Sequence, residues 1–269
     1  RQPRRANLLR IKYPLQRIDE AAISAEAEAW RGEFAALPKP LIAVMVGGLT
    51  KAVRFDAATA RRLARDLTEL WARDGGSLVV TTSRRTPPEV TRILKDDLPS
   101  NAILYDWSPT GDRNPYRALL GLADRFVVTS DSLSMLMETS RLGRPLAIYR
   151  LPSSSWLAGR LLARFAEGNP ARERAVRLIL RPLTTVAEWV GFGHTRDLSV
   201  IPWRLARDGF AVWFGESFKP AGPRPPDELP LVVERTMTWA AGQRRGGHNS
   251  PGLLGTAPTW YLAEGTTGF

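Results

Sequence analysis

From residue 41 to 149 the chain alternates between short unbroken apolar runs and segments whose apolar positions recur every three or four residues. The runs are LIAVMV (41–46), SLVVTT (77–82), residues 102–105, RFVVT (125–129) and LAIY (146–149). They are β-branched, nearly uncharged and too apolar to be half exposed, which suits strands buried on both faces. Between them, Leu63, Leu67, Leu70 and Trp71 mark a helix over 57–73, with Asp56 as its N-cap and Gly75-Gly76 closing it. Pro87-Pro88 leads into a helix through Asp97, and Pro115 opens a short one to Ala123. Leu133, Leu136, Met137 and Leu142 give a helix over 131–142, with Gly143 as a C-cap. Five strands alternating with four helices predict an α/β fold, a Rossmann-like parallel five-stranded sheet covered on both faces by right-handed crossovers.

The flanks are patterned differently. Residues 1–14 are basic and irregular, and read as a frayed lead-in with contact to anionic lipid as the functional alternative. Residues 19–37 are rich in Ala and Glu with acid in the first turn, a helix that Pro38 and Pro40 end. After Pro152, helices are expected at 156–166, 170–180, 184–190, 202–208 and 226–241, packing on the sheet domain. Residues 243–269, rich in Gly, Thr and Pro, read as a flexible tail. The expected organisation is a basic lead-in and linker helix (1–40), a Rossmann-like domain (41–151), a helical C-terminal region (152–242) and the tail. Because the chain opens on Arg1 rather than Met, it is expected to be a fragment of a longer protein.

Composition narrows the chemistry. The absence of cysteine removes disulfides, thiolate metal sites and cysteine nucleophiles together, and with His194 and His248 alone neither a histidine-rich metal site nor a Ser-His-Asp triad is expected. No cofactor is expected either. Lys and Arg number 38 against 27 Asp and Glu, a net +11 that favours phosphates or anionic lipid. The basic residues are spread along the chain rather than interleaved with aromatics, so nucleic acid is not an expected partner. No run approaches the roughly 18 apolar residues of a membrane span. The expected location is the cytoplasm, with a peripheral inner-membrane contact as an extension of the basic surface; oligomeric state stays open.

In a parallel sheet, ligands bind outside the carboxyl ends of the strands, near the point where strand order reverses. The unusual residues of this chain fall there. Gly47, Gly48 and Lys51 follow the first run; Thr82, Ser83, Arg84 and Arg85 follow the second; Ser130, Ser132 and Ser134 follow the fourth. Glycine permits close backbone approach, hydroxyls and free N–H groups donate, and Arg or Lys balances charge, so the set describes an anion site suited to a diphosphate. Asp131 would repel a phosphate and is assigned to capping, turned toward backbone N–H groups. Glu138, two helical turns on, could accept both hydroxyls of a ribose. Asp106 and Trp107, after the third run, could frame a base. A dinucleotide dehydrogenase is disfavoured, because no G-x-G-x-x-G follows the first strand.

VGGLTKAVRFD, TTSRRTP, the NPY of 114–116 and VTSDSLSMLMETSRLGRPLAIY together resemble the bacterial relatives of the mitochondrial fission "elongated mitochondria" family, whose members resemble glycosyltransferases of the two-Rossmann GT-B architecture. The resemblance covers about residues 14–240. It implies that residues 41–149 form the C-terminal, nucleotide-diphospho-sugar-binding half, with Ser132 and Ser134 at the diphosphate and Glu138 at the ribose. It also implies metal-independent glycosyl transfer in the intact protein, with the N-terminal half that would hold the acceptor essentially missing here. The alternative is a non-catalytic module that keeps the fold and binds membranes or partners.

Overall fold

The computed structural model describes residues 8–50, 53–110, 114–152, 200–245 and 259–262, and the element labels count these alone. Strand β1 (Leu8–Ile11) precedes helix α1 (Glu20–Ala35). Then come β2 (Leu41–Met45), α2 (Ala57–Asp74), β3 (Ser77–Thr81), α3 (Pro88–Asp97), β4 (Ile103–Tyr105), α4 (Tyr116–Leu122), β5 (Arg125–Thr129), α5 (Leu133–Arg141) and β6 (Leu146–Tyr149). Beyond these lie α6 (Val200–Arg207), β7 (Val212–Trp213), α7 (Leu229–Arg245) and β8 (Thr259–Leu262).

Six strands form one sheet in the order β4-β3-β2-β5-β6-β7, every neighbouring pair parallel. Val44 of β2 sits in register with Val80 of β3 on one side and Val127 of β5 on the other. The chain therefore builds outward from β2 through β3 to β4, returns to the other side of β2, and builds outward again. This is the Rossmann strand order, and it reverses between β2 and β5.

The unbroken apolar runs have a direct physical cause. All five residues of β2 are fully buried, and alternate side chains enter two separate cores. Leu41, Ala43 and Met45 pack with Trp30, Phe34, Leu119 and Leu136 from α1, α4 and α5; Ile42 and Val44 pack with Leu63, Leu67, Val90 and Leu94 from α2 and α3. A sheet with helices on both faces leaves its central strands no polar side. The helix starts follow the sequence as well. Asp19 accepts from the Ala22 N–H at 3.0 Å, and Asp56 accepts from both the Thr59 N–H (3.0 Å) and its hydroxyl (2.8 Å). Gly75 and Gly76, at φ of 69° and 77°, turn the chain from α2 into β3 in a conformation that side chains resist.

The sheet has six strands where the sequence predicts five. The sixth, β7, is two residues long within the apolar run FAVWF (210–214), and it joins the sheet by pairing with Ala147 and Ile148. The helices expected at 202–208 and 226–241 are found as α6 and α7. Those expected at 156–166, 170–180 and 184–190 lie outside the described residues. In the segment read as a tail, Thr259–Leu262 pairs in parallel with β1.

The chain ahead of α1 is laced to the C-terminal elements. The Lys12 and Tyr13 N–H groups donate to Glu228 at 2.7 and 2.8 Å, and Arg204 donates to the Lys12 carbonyl. Tyr13 is fully buried, with its hydroxyl on Asp208 at 2.5 Å. Burial alone would raise the Asp208 pKa, but Lys12, Tyr13 and Arg207 outweigh it and hold the carboxyl at about 2.

Candidate functional site at the strand-order reversal

At the carboxyl end of β2 the chain passes through Gly47 and Gly48, both buried, into the crevice beside β5. The Gly47 N–H donates to Thr129 Oγ1 at 2.8 Å, and the Gly48 N–H donates to Asp131 Oδ2 at 2.7 Å. The loop after β3 closes the third side. Thr86 donates to the Gly47 carbonyl, the Leu49 N–H donates to the Arg85 carbonyl at 3.0 Å, and the Arg85 guanidinium reaches Asp131 Oδ2 at 3.5 Å. Three loops that are distant in sequence thus meet at one edge of the sheet.

The glycines are explained by packing between these loops. A Cβ on Gly47 would run into the Asp131 carboxylate, and one on Gly48 into the backbone carbonyl of Arg85. In the structure, the close approach that glycine allows is made by the protein itself.

Asp131 differs from its expected role. It is turned toward a backbone N–H, but that N–H belongs to Gly48 across the crevice rather than to its own helix. Its side chain is fully buried while that of Arg85 is 40% exposed, and Oδ1 has no hydrogen-bond partner. Burial pushes its pKa up; the neighbouring Thr129 hydroxyl, the Gly48 N–H and Arg85 oppose the rise without cancelling it.

Ser132 stands at the N-cap position of α5, yet its hydroxyl makes no capping bond. The first-turn N–H groups of a helix have no intrahelical acceptor, and α5 begins two residues after Asp131, which contacts Gly48 and Arg85. Ser132 is buried and Ser134 is exposed on the same turn. Ser130 is committed elsewhere, its Oγ accepting from the Leu151 N–H at 3.0 Å. Ser83 shapes its own loop: its N–H donates to Thr86 Oγ1 at 2.9 Å and its Oγ accepts from the Arg85 N–H at 3.3 Å. Arg84 is exposed on that loop, and Lys51 lies outside the described residues.

Thr82, Asp106 and Trp107 form a second group. Thr82 Oγ1 donates to Asp106 Oδ1 at 2.7 Å and accepts from the Trp107 N–H at 2.8 Å, which pins the start of the β4–α4 loop to the end of β3. A cavity of about 340 Å³ opens beside β4 between Thr91, Leu94, Lys95, Leu98, Leu104 and Asp106.

Glu138 is half-buried and engaged at both oxygens. Tyr116 donates to Oε2 at 2.5 Å and Gln16 Nε2 donates to Oε1 at 2.8 Å. Burial and the charge of Glu138 push the Tyr116 phenol up, so it is a standing proton donor to this carboxylate. Sequence reasoning passed over Tyr116 and Gln16 as partners of Glu138. The tyrosine of the NPY triplet was the signal available for one of them.

Among the described residues, no group of three or more His, Asp or Glu could hold a metal ion, and no helix is long and apolar enough to cross a membrane.

Strand order and crevice together define a doubly wound α/β protein of Rossmann type, with an uncapped helix N-terminus facing a glycine loop at the switch point. Within that class the chain belongs to the mitochondrial fission ELM1 family, whose model matches residues 1–190. It is 35% identical over 208 residues to the mitochondrial fission protein ELM1 of Arabidopsis thaliana, a match covering 77% of this chain and 47% of that protein. It is 31% identical over 152 residues to an uncharacterized protein of Rickettsia prowazekii (strain Madrid E), covering 56% of this chain and 42% of that one. The chain thus spans about half the length of the curated relatives it matches. Solved structures that it resembles include the glycosyltransferase SnogD from Streptomyces nogalater (21% identity, 41% of this chain and 25% of that one, TM-score 0.27) and the glycosyltransferase VinC in complex with DTDP (22%, 64% and 42%, TM-score 0.27). The fold assignment rests on the strand order and register described above.

Proposed function

We propose that the crevice between β2 and β5 binds the diphosphate of a nucleotide-diphospho-sugar. The observation that carries this reading is the start of α5: an N-cap serine that does not cap, beside the Gly47-Gly48 loop and the Arg85 guanidinium, at the point of strand reversal. Helix N–H groups, the Ser132 and Ser134 hydroxyls and Arg85 would hold the phosphates without a metal. Glu138, one and a half turns further along α5, would accept the ribose hydroxyls, exchanging Gln16 or Tyr116 for them. Asp106 and Trp107 would lie toward the base. In a longer protein of this family the same contacts would stabilise a departing nucleoside diphosphate during glycosyl transfer.

Calorimetric titration with UDP, dTDP, GDP and their sugar conjugates tests the reading. Binding of at least one with a Kd below about 1 mM, weakened by Ser132→Ala, supports it. No heat from any of them at millimolar concentration refutes it.

A second reading draws on Glu138, whose two oxygens are already engaged, and on the exposed Leu231, Val233 and Met237 of α7. The fold would then serve as a non-catalytic interaction module, using these exposed apolar side chains and its net positive charge on a protein or an anionic membrane. Liposome binding that falls with salt and survives both Ser132→Ala and Glu138→Ala would favour it.

A further inference from the structure

We infer that Asp131 occupies the anion position of the crevice in the free protein, and that a diphosphate enters it together with one proton, taken from solvent by this carboxyl group. The inference rests on the diphosphate reading above and names how that site is regulated.

The geometry is that of a stand-in for a phosphate. The Gly48 N–H donates to Asp131 Oδ2 at 2.7 Å, and Arg85 approaches the same oxygen at 3.5 Å. With the neighbouring Thr129 hydroxyl, these are donors that the crevice offers besides the start of α5. The other oxygen, Oδ1, is buried without a partner, and the residue as a whole is 7% exposed. A buried carboxylate satisfied at one oxygen is held at a cost, which adding a proton relieves.

The surroundings leave little else to balance a second negative charge. Among the described residues, the β2 loop presents the uncharged Gly47 and Gly48, β5 presents Thr129, and the first turn of α5 presents Ser132 and Ser134. The β3 loop presents Arg85, among the described residues the one cation within an ion-pair distance of Asp131. A diphosphate drawing on Arg85 would leave an ionised Asp131 buried beside it in a site of low dielectric, where like charges do not both persist. Protonated, the carboxyl group no longer repels the ligand, and it can turn its O–H toward a phosphate oxygen as a donor.

The linkage has a definite sign. If the ligand prefers the protonated form, binding raises the Asp131 pKa, and affinity falls as pH rises through the free-state value. UDP-glucose is a suitable probe, because both of its phosphates are esterified and hold their charge over the range used, unlike the terminal phosphate of UDP. With the full chain, affinity at about pH 8 should be at least tenfold weaker than at about pH 5.5, the effect of one pKa unit or more. Binding heats at about pH 8 should vary with the ionisation enthalpy of the buffer, as uptake of a proton requires. Asp131→Asn, which keeps an acceptor for Gly48 but cannot ionise, should bring the two affinities within about threefold and abolish the buffer dependence. Equal wild-type affinities at both pH values without proton uptake, or a pH dependence that persists undiminished in Asp131→Asn, would overturn the inference and leave the diphosphate reading standing. No binding by wild type or variant at either pH would overturn both. Circular dichroism establishes whether the variant is folded; if it is not, the proton count on wild type decides alone.

Discussion

Gly48 and Asp131, 83 residues apart in sequence, are joined by a 2.7 Å hydrogen bond across the seam where strand order reverses. The bond needs the Gly48 backbone to lie against the Arg85 carbonyl, a position that no side chain could share. The contrast with Gly32 is direct, because a Cβ there meets nothing within 4 Å and the residue lies on an exposed face of α1. Gly48→Ala should destabilise the protein by about 1 to 3 kcal/mol, the cost of forcing atoms into packed backbone. Gly32→Ala should stabilise it by about 0.5 to 1 kcal/mol through helix propensity. Urea denaturation of the two variants beside wild type checks both signs; equal effects would remove the steric account of the crevice.

Ser132 and Asp56 occupy equivalent positions at helix starts and should respond differently to alanine. Asp56 caps α2 through two bonds to Thr59, and its loss should cost about 1 kcal/mol. Ser132 makes no capping bond, so Ser132→Ala should leave stability within about 0.5 kcal/mol of wild type. If its hydroxyl serves a ligand, the same variant should weaken nucleotide-sugar binding several-fold. Thermal unfolding and calorimetry on one preparation separate the two effects.

Glu138 offers a way to divide the ligand into parts. Glu138→Gln keeps the size of the side chain and its contact with Tyr116 while weakening its acceptance of hydroxyl donors. Affinity for a nucleoside diphosphate should fall by about tenfold, the scale of a lost charge-assisted hydrogen bond, while affinity for inorganic pyrophosphate should not change. An equal loss for both ligands would place Glu138 away from the ribose.

Acid should loosen the lacing of the N-terminal segment. Asp208 has a folded-state pKa of about 2, below its ordinary value of 3.8. A depressed carboxyl group contributes stability that is complete above its unfolded-state pKa and is lost as pH falls toward the folded value. The window is therefore pH 3.8 down to about 2. The loss should be about 1 to 2 kcal/mol, allowing for screening of Lys12 and Arg207 at the surface. In urea titrations across this range, Asp208→Asn should show a shallower decline than wild type.

The β2–β6 region was legible because each element obeys its own local rule. Central strands buried on both faces must be unbroken apolar runs, and the helices beside them carry stripes of Leu at helical spacing together with their own caps. The carboxyl-edge clustering of Gly47, Gly48, Arg85 and Ser132 was legible for the same reason, since parallel strands joined by crossovers send all these loops to one edge. Strand β7 was not read, although it lies in the apolar run FAVWF (210–214), because that run stands outside the strand–helix alternation of 41–149 and only its pairing with β6 adds it to the sheet.

The sequence by itself determined the alternation of strand and helix, the parallel sheet and the edge on which the polar loops gather, because these follow from burial periodicity and short-range capping. Only the tertiary structure decided what those loops touch. That Gly48 serves Asp131, that Thr82 holds Asp106, and that Glu138 is already bound by Gln16 and Tyr116 are pairings between residues 22 to 122 positions apart. No local rule selects such partners. They follow from which strands become neighbours, and strand order is settled by how well two cores pack on opposite faces of one sheet.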